Sequence, residues 1–397
     1  MYKFKENGMK VPAYIWSREG SIEQGAIDQI KNASSLPFAF HHTVICPDGH
    51  QGYGAPIGGI LATEDVVVVN FVGVDIGCGM CAVKTSLKEI NTEALKKIMG
   101  EIRKAIPVGF NKHKEPQNEE QMPQDWFFLN YDGFVIKGEY ENARKSLGTL
   151  GGGNHFIEIQ KGSDGFIWVM IHSGSRNLGK QVADHYNKVA VALNKKWHSS
   201  VPKEWELAFL PLDIQEGQHY IKEMNYCVDF ALANRKLMMD RVLQCMESEL
   251  WKNGVGFDCD EMVNIAHNYA KLENHFGKNV LVHRKGATLA TKDTIGIIPG
   301  SQGTASYIVK GKGNADSFNS CSHGAGRKMG RKQAQRELSL DAEIDALNAL
   351  GVIHSIRSTK DLDEAPGSYK SIKTVMAEQE DLVEILVELT PLCVIKG

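Results

Sequence analysis

Seven short glycine-containing stretches carry most of the chemically unusual residues of this 397-residue chain. Each places a side chain that could bind a metal or act as a nucleophile beside glycine, which lets the backbone approach a ligand closely. Consecutive free backbone N–H groups in such turns can also bind anions. The stretches are PDGHQGYG (47–54), GVDIGCGMC (73–81), GGGNHFIE (151–158), HSGSR (172–176), HNY (267–269), PGSQGTAS (299–306) and SCSHGAGR (320–327).

Five residues in these stretches form a candidate metal site. Asp75 and Cys78 are three residues apart in a glycine-rich turn after an apolar run, so a carboxylate and a thiolate could reach one ion. His155, His172 and His267 each lie at the edge of a predicted element. A mixed set of this kind suits Zn²⁺, Mn²⁺ or Fe²⁺, and spacing alone does not choose among them. The alternative is that each histidine makes only local hydrogen bonds.

The cysteines admit a second interpretation of the same turn. Cys78 and Cys81 form a CxxC motif, but a zinc ribbon requires a second CxxC, which the chain lacks. A redox or structural zinc role is therefore the weaker alternative, and Cys81 is predicted to be a small buried residue. The eight cysteines are scattered in a chain without a secretory signal, so free thiols or metal ligands are expected rather than disulfides.

His323 is the candidate nucleophile. The backbone from Gly324 to Gly326, with Ser320 and Ser322, could donate to phosphate oxygens, and a neutral imidazole can attack phosphorus. The alternative is a phosphate-binding loop in which the histidine only donates a hydrogen bond. A basic stripe follows that would suit a polyanion or form an ordinary solvated helix face: Lys328, Arg331, Lys332 and Arg336.

Two further stretches offer supporting groups. Asp48 and His50 are candidates for proton transfer or for orienting a catalytic group. The turn from Pro299 to Gly303 is similar to a nucleotide-binding loop, which by itself is a weak signal.

Composition and charge narrow the classes of protein that could carry these residues. Hydrophobic residues make up 42% of the chain and charged residues 23%, which is typical of a globular protein. The net charge of −3 excludes binding of nucleic acid by bulk charge, although a local basic patch is still allowed. No run of about 18 apolar residues predicts a membrane span, and no apolar signal-peptide core is visible. We therefore expect a cytoplasmic protein without membrane contact.

The elements that must position the candidate residues follow from periodicity. Helical spacing predicts helices over 22–33, with Ser21 and Gln24 as a capping box, and over 92–106, 180–197, 217–250 and 327–338. Apolar or alternating runs predict strands over 66–69, 156–159, 167–171, 280–283, 307–309 and 383–389. The mixture indicates an α+β (mixed α/β) fold in a single catalytic domain over residues 1–397. The polar segment 112–124 is predicted to be a surface loop.

Taken together, the motifs closely resemble the RtcB family of RNA-splicing and RNA-repair ligases. From near Tyr14 to the final Lys396-Gly397, the family's motifs occur in the family's order: PDGH, GVDIGCGM, LGTLGGGNHFIE, HSGSR, HNY, RKGAT, PGSQGTASYIV, SCSHGAGR and Lys-Gly. The resemblance implies an enzyme that joins an RNA 3′-phosphate or 2′,3′-cyclic phosphate to a 5′-hydroxyl. It implies GTP and two Mn²⁺ ions, a guanylylated histidine and an RNA-(3′)pp(5′)G intermediate.

The same resemblance implies a role for each matching residue. Asp75, Cys78 and His155 match the ligands of one manganese ion, and Cys78, His172 and His267 match those of the other. His323 matches the guanylylated histidine. The nucleotide pocket is implied to contain Asn154, His155, Phe156, Ile157, Glu158, His267, Asn268, Pro299, Gly300, Ser301, Gln302, Ser306, His323, Gly324, Ala325, Gly326 and Lys396. Within it Glu158 would read the guanine N1 and N2 donors and Tyr369 would stack on the base, while Arg176 is a further candidate.

Two residues depart from the family pattern, and two rival functions remain open. Gly49 stands where the family more usually has valine, and Gln302 where methionine is usual, but neither departure removes a metal ligand or the nucleophile. The rivals are a metal-dependent phosphoesterase that has lost ligation and a non-catalytic RNA-binding module. We expect a monomer that acts on RNA ends, with or without an archease-type activator, and transfer RNA halves or cleaved ribosomal RNA are both open as substrates.

Overall fold

Two β-sheets with helices around them make up most of the molecule, which confirms the predicted α+β class. The computed structural model describes residues 1–124 and 133–397. The helices are α1 (Gln24–Ser34), α2 (Val69–Val72), α3 (Thr92–Ala105), α4 (Val135–Ser146), α5 (Arg176–Lys196), α6 (Gln215–Trp251), α7 (Arg331–Glu337), α8 (Leu340–Ala349) and α9 (Ile372–Ala377). The first nine strands are β1 (Tyr2–Phe4), β2 (Ala13–Ile15), β3 (Ala39–His50), β4 (Ile57–Thr63), β5 (Val66–Val68), β6 (Gly79–Lys84), β7 (Phe156–Gly162), β8 (Ile167–Ser173) and β9 (Phe209–Pro211). The others are β10 (Val263–Ala266), β11 (Asn268–His275), β12 (Lys278–Lys285), β13 (Ala287–Leu289), β14 (Ile295–Ile298), β15 (Ser306–Gly311), β16 (Ser320–Ser322) and β17 (Val383–Lys396).

The six-stranded sheet has the order β1-β2-β3-β4-β12-β11. Its strands are antiparallel except for the parallel pair β2 and β3. The end of β3 at His50 pairs with Ile57, and the end of β12 at Lys285 pairs with Asn268 and Gly59. These pairings place polar residues of three strands along one edge of the sheet.

The seven-stranded sheet brings the candidate metal ligands together. Its order is β10-β6-β8-β7-β17-β15-β14, and all of its pairs are antiparallel. In an antiparallel pair the start of one strand lies opposite the end of its neighbour. His172 near the end of β8 therefore faces Met80 at the start of β6 and Phe156 at the start of β7. Cys78 and His155 directly precede those two strands, so both lie at the edge that holds His172.

The core under this sheet is formed with α3 and the long helix α6. Met238, Val242 and Met246 of α6 recur at helical spacing and pack with Ile98 and Ile102 of α3. These side chains bury the apolar face that the sequence periodicity predicts. The same helix also buries two polar residues in its middle, Asn234 and Arg235.

The predicted elements agree with the structure in position and differ at several ends. The predicted capping box is wrong, because α1 begins at Gln24 with Glu23 as its N-cap and Ser21 Oγ donates to the Arg18 carbonyl instead. Val69 belongs to α2 rather than to the preceding strand. The helix predicted from Arg327 begins only at Arg331.

Other segments differ more from the prediction or fall outside it. PDGH lies inside the irregular end of β3. Helices α4, α8 and α9, and eleven of the described strands, have no predicted counterpart. Residues 112–124 are largely exposed and contain one short 3₁₀ turn. None of the described helices is long and apolar enough to span a bilayer.

Candidate active site

A cavity of about 530 Å³ lies where the edges of the two sheets meet. Most of the residues singled out in the sequence line it, although they come from distant parts of the chain. They are His50, Asp75, Cys78, Asn154, His155, Phe156, Glu158, His172, His267, Asn268, Pro299, Gly300, Ser301, Gln302, His323, Gly324, Ala325, Gly326, Tyr369 and Lys396. The fold therefore gathers the glycine-rich stretches into a single site.

Cys78, His155 and His172 form a buried cluster that could hold a metal ion, since their ligand atoms lie within 4.8 Å of one another. Cys78 Sγ lies 3.4 Å from His155 Nε2 and 3.3 Å from His172 Nε2. Asp75 Oδ2 lies 3.2 Å from His155 Nε2, and His267 Nε2 lies 3.4 Å from His172 Nε2. The thiol thus stands between an Asp–His pair on one side and a His–His pair on the other.

The electrostatics of this cluster favour neutral imidazoles and an ionised carboxylate. Burial and the neighbouring histidines lower the pKa of His172 and of His267 well below the usual range, so both rings keep a lone pair for a ligand. Burial alone would raise the pKa of Asp75, but the hydrogen bond and charge of His155 hold it at about 2. Burial and the Asp75 carboxylate raise the pKa of the Cys78 thiol well above its usual range.

The donor set fits one or two divalent cations. A soft thiolate beside imidazoles and a carboxylate is a set that borderline metals accept. His267 Nδ1 is buried and has no hydrogen-bond partner among residues 1–124 and 133–397. His172 is oriented from behind, because its Nδ1 lies 3.1 Å from the Asn154 carbonyl, which leaves Nε2 directed into the cluster.

Arg235 of α6 joins the segments that carry these ligands. Its Nη1 donates to the carbonyls of Gly77 at 3.0 Å and Ser173 at 2.8 Å, which adjoin the cysteine and one histidine of the cluster. Its Nε donates to Asn264 Oδ1 at 2.7 Å, on the strand that leads to His267. The guanidinium is fully buried, so it sets the relative positions of three ligand-bearing segments.

Asn234, the preceding residue of α6, orders the glycine-rich loop before β7 in the same way. Its Oδ1 accepts from the backbone N of Gly148 at 2.7 Å and of Thr149 at 3.1 Å. Its Nδ2 donates to Ser173 Oγ at 3.2 Å and to the Gly174 carbonyl at 3.1 Å. Neither α6 residue was predicted to support the site, because a polar pair in the middle of an amphipathic helix resembles an ordinary exposed position.

His323 lies against the metal cluster and is oriented by Asp48. The rings of His323 and His267 have centroids 4.8 Å apart. His323 Nδ1 donates to Asp48 Oδ2 at 2.6 Å, so the lone pair of the neutral ring is on Nε2. The same oxygen accepts from the backbone N of His323 at 3.1 Å and of Gly324 at 3.3 Å. Gly326 has φ +71°, and a Cβ there would overlap the Asp48 carbonyl, so glycine is required for this approach.

Burial and charge make Asp48 a strong partner for the histidine. The carboxyl is wholly buried, which alone would raise its pKa, but the charge and hydrogen bond of His323 lower it. Asp48 therefore stays ionised at neutral pH and stabilises positive charge on the ring. His50 lies behind this pair, with its Nδ1 2.9 Å from the Asp48 carbonyl oxygen.

Glu158 lines the cavity on β7, three residues after His155, and is unusually basic. Burial raises its pKa to about 8, although Lys396 and a hydrogen bond from Gln160 oppose the shift. Gln160 Nε2 donates to Glu158 Oε2 at 2.6 Å and to Ser306 Oγ at 3.2 Å. Ser306 Oγ in turn accepts from the Gly300 backbone N at 3.1 Å. These bonds fix strand β7 and the loop that begins at Pro299 to each other behind the cavity surface.

Glu364 is a site residue that the sequence analysis missed. Its buried carboxylate lies 3.2 Å from Arg327 Nη1, 3.3 Å from Arg331 Nε and 3.5 Å from Lys396 Nζ, and it accepts from the Tyr369 hydroxyl. Burial alone would raise its pKa, but Lys396 and its other partners lower it. Glu364 lies in the acidic run DLDE, which resembles an ordinary surface segment, so no local signal distinguished it.

Lys285 is a second missed residue. It is nearly fully buried at the end of β12, and its Nζ donates to the carbonyls of Asn70, at 2.9 Å, and of Tyr53. Burial lowers its pKa to about 7, so it can gain a proton when an anion enters the cavity. The motif RKGAT was the signal that could have identified it, because this motif places Lys285 directly beside a glycine, as the other site motifs do with their polar residues.

A few predicted residues lie behind the cavity wall. Ile157 packs its side chain into the core under the sheet, so only its backbone is near the cavity. Ser306 and Asp48 act through the neighbours described above. Arg176 lies beside the metal cluster, with its Nη1 3.2 Å from His155 Nδ1.

Both departures from the resembled family have local structural partners. A Cβ built on Gly49 would overlap the Ile45 methyl group Cγ2, so a valine at 49 would require a different or displaced side chain at 45. Gln302 is buried, and its Nε2 donates to the Glu364 carbonyl at 2.9 Å. The amide thereby links the nucleotide-like loop to the segment that carries Glu364.

Comparison with known proteins gives a consistent result over nearly the whole chain. The family model described as tRNA-splicing ligase RtcB matches residues 29–397. The chain is 35% identical to the RNA-splicing ligase RtcB of Escherichia coli strain K12, with 97% of each chain covered. It is 35% identical to the tRNA-splicing ligase RtcB of Nanoarchaeum equitans, over 99% of this chain and 97% of the relative. It is 30% identical to the protein of the same name from Thermococcus kodakarensis, over 98% and 95%.

Proposed function

The chain belongs to the RtcB family of RNA ligases, and we propose that it joins RNA 3′-phosphate or 2′,3′-cyclic phosphate ends to 5′-hydroxyl ends with GTP and Mn²⁺. The observation that carries this proposal is the Cys78, His155 and His172 cluster beside the oriented imidazole of His323, within one cavity. A metal-capable cluster next to such an imidazole has the parts that nucleotidyl transfer to histidine requires.

The metal ligands in this proposal are five residues, and the Cys78 thiolate is shared by the two sets of ligands. Asp75, Cys78 and His155 would hold one ion, and Cys78, His172 and His267 the other. Bound Mn²⁺ would polarise phosphate oxygens and favour the thiolate form of the cysteine. The position of Cys78 Sγ between the two groups of ligands supports the bridging role.

His323 would act as the nucleophile toward GTP. Its Nε2 attacks the α-phosphorus, a nitrogen–phosphorus bond forms, and pyrophosphate leaves. Asp48 holds the Nδ1 proton and stabilises the positive charge that develops on the ring. Glu158 would accept the guanine N1 and N2 hydrogens, and Tyr369 would contact the base, while Lys285, Arg327 and Arg331 supply cationic groups near the phosphates.

The RNA steps follow from the chemistry of a phosphate end. A cyclic phosphate must first be opened by water, because ligation starts from a 3′-phosphate. A bare 3′-phosphate has no good leaving group, so GMP passes from His323 to that phosphate. The 5′-hydroxyl then attacks the activated phosphorus and GMP departs.

The decisive experiment is labelling of the protein with α-labelled GTP and Mn²⁺. We expect an acid-labile label on the wild-type chain and none on His323→Ala. The same variant should still seal RNA supplied with a prepared 3′-diphosphoguanosine end, because His323 has no covalent task in that step. His267→Ala should fail in both assays, since the metal cluster is needed in each.

Each other outcome points to a different conclusion. Absence of label on the wild-type chain, together with cyclic-phosphate hydrolysis, would support the phosphoesterase and contradict the ligase mechanism. RNA binding without GTP turnover would support the binding module. A cytoplasmic location, a monomeric state and a need for an archease-type activator stay predictions.

A further inference from the structure

Large hydrophobic side chains remain exposed at the mouth of the polar cavity. Tyr53, 59% exposed, and Val74, 46% exposed, line the cavity itself. Phe110 is fully exposed and follows Gly109. Gly109 lies next to the cavity residue Gly152, because a Cβ built on Gly152 would be 3.6 Å from the Gly109 Cα. Single exposed apolar residues are ordinary on protein surfaces. Exposed aromatic rings beside a cavity that contains cationic groups are a pattern that nucleic-acid-binding sites use.

The turn that carries Phe110 is fixed to the metal cluster. The Gly109 backbone N donates to the Gly151 carbonyl at 2.9 Å. Arg176 Nη2 donates to the Gly109 carbonyl at 3.2 Å, and its Nη1 lies 3.2 Å from His155 Nδ1. One guanidinium therefore lies between the backbone of this turn and a candidate metal ligand, and the exposed Phe110 follows directly on that fixed backbone.

Tyr53 lies in the loop between β3 and β4 of the six-stranded sheet and lines the cavity. Its hydroxyl donates to Glu206 Oε2 at 2.9 Å. Its carbonyl accepts from Lys285 Nζ and from the Ala55 backbone N. The loop backbone is thus fixed and the hydroxyl holds one end of the exposed ring, so the side chain needs little ordering when a flat ligand stacks on it.

We propose that Phe110 and Tyr53 stack on unpaired bases next to the RNA ends that meet in the cavity. The inference rests on the proposed function, because it takes the cavity to hold the phosphate and hydroxyl of those ends. Lys285, Arg331 and Lys396 supply cationic groups inside the cavity. Tyr53, which lines the cavity, and Phe110, which follows Gly109 beside it, are the exposed rings that the bases next to those ends would reach. Every base has a π-face, so such stacking accepts any sequence but requires that the terminal nucleotides be unpaired.

The test compares RNA binding by ring-deleted and ring-conserving variants. We would measure the dissociation constants of fluorescent single-stranded RNAs, one with a 3′-phosphate and one with a 5′-hydroxyl, by anisotropy. Phe110→Ala and Tyr53→Ala should each weaken binding of at least one RNA about 5- to 150-fold. Phe110→Trp and Tyr53→Phe should stay within about twofold of wild type, since each keeps a ring. Trp251→Ala is the matched control, because this exposed aromatic at the end of α6 does not line the cavity.

RNAs with abasic residues at their terminal positions separate stacking from a structural effect. Wild type and the alanine variants should bind them equally, because no base is present to stack. The proposal is overturned if the alanine variants bind ordinary RNA like wild type, or if the difference persists with abasic RNA. Protein labelling by GTP without RNA is measured alongside. If the alanine variants are labelled normally and bind RNA like wild type, stacking is refuted and the proposed function is not. If the wild type itself is not labelled, the proposed function is refuted, and the comparison of RNA binding still decides whether the two rings stack on bases.

Discussion

Replacement of Asp48 by asparagine tests how His323 is prepared for attack on GTP. One carboxylate oxygen accepts three hydrogen bonds, from His323 Nδ1 at 2.6 Å and from the backbone N of His323 and Gly324 at 3.1 and 3.3 Å. An asparagine oxygen in this position would keep all three bonds. A flipped amide would instead place its NH₂ group against the two backbone N–H groups. We therefore expect Asp48→Asn to keep the Nδ1 proton in place and to remove only the negative charge.

The expected loss follows from the bond that strengthens during attack. The two backbone bonds are the same before and during the reaction, so only the bond to the histidine ring changes as positive charge develops there. A hydrogen bond to a charged acceptor contributes about 1.5–3 kcal/mol and a neutral one about 0.5–1.5 kcal/mol. Loss of the charge should raise the barrier by about 1–2 kcal/mol, which slows guanylylation about 5- to 30-fold.

The assay is the single-turnover rate of protein labelling at saturating GTP and Mn²⁺, with thermal unfolding to verify the fold. A loss near 10⁴-fold, the size that a wrong histidine tautomer causes in serine proteases, would show that the amide flips and would refute the geometric argument. A loss below about twofold would show that the Asp48 charge does not assist the attack. Asp48→Ala is the control, because it removes the acceptor of two backbone N–H groups and of the His323 ring N–H and should be slower and less stable than Asp48→Asn.

Three other predictions follow from the site. Cys78→Ala should lose bound metal and guanylylation while Cys81→Ala keeps most activity, and equal tolerance in metal analysis and ligation would contradict the bridging role. Arg235→Met should weaken Mn²⁺ binding about 10- to 100-fold in calorimetry, and a lower melting temperature with unchanged metal affinity would mean that Arg235 serves only the fold. Because the pKa of Glu158 is raised to about 8 without nucleotide, its ionised form increases as pH rises, whereas Lys285, with a pKa of about 7, loses its proton over the same range in wild type and variant alike. The GTP affinity of the wild type relative to Glu158→Gln should therefore increase about tenfold between about pH 7 and about pH 9 in binding titrations, and a ratio that does not change with pH would contradict a role for the Glu158 charge.

Local sequence patterns predicted five of the described helices, the longest among them, and six of the described strands. The predicted helix over 217–250 is observed as Gln215–Trp251, and the predicted strand over 167–171 as Ile167–Ser173. These agreements arise because burial on one face produces a period of 3.6 or 2 in the sequence itself. The errors lie at element ends, as at Ser21, where caps depend on backbone geometry that periodicity does not encode.

The motifs, through the family that they resemble together, also indicated which residues would gather. Local patterns could not show that Asp48 orients His323, 275 residues away, or that Glu364 pairs with three cations from two distant segments. Nor could they show that Arg235 joins the ligand loops. These contacts depend on which strands pair and in which register, and that choice is made by packing of whole sheets. A residue's neighbours along the chain determine its helix or strand, whereas its partners in the site are decided by the order of strands across it.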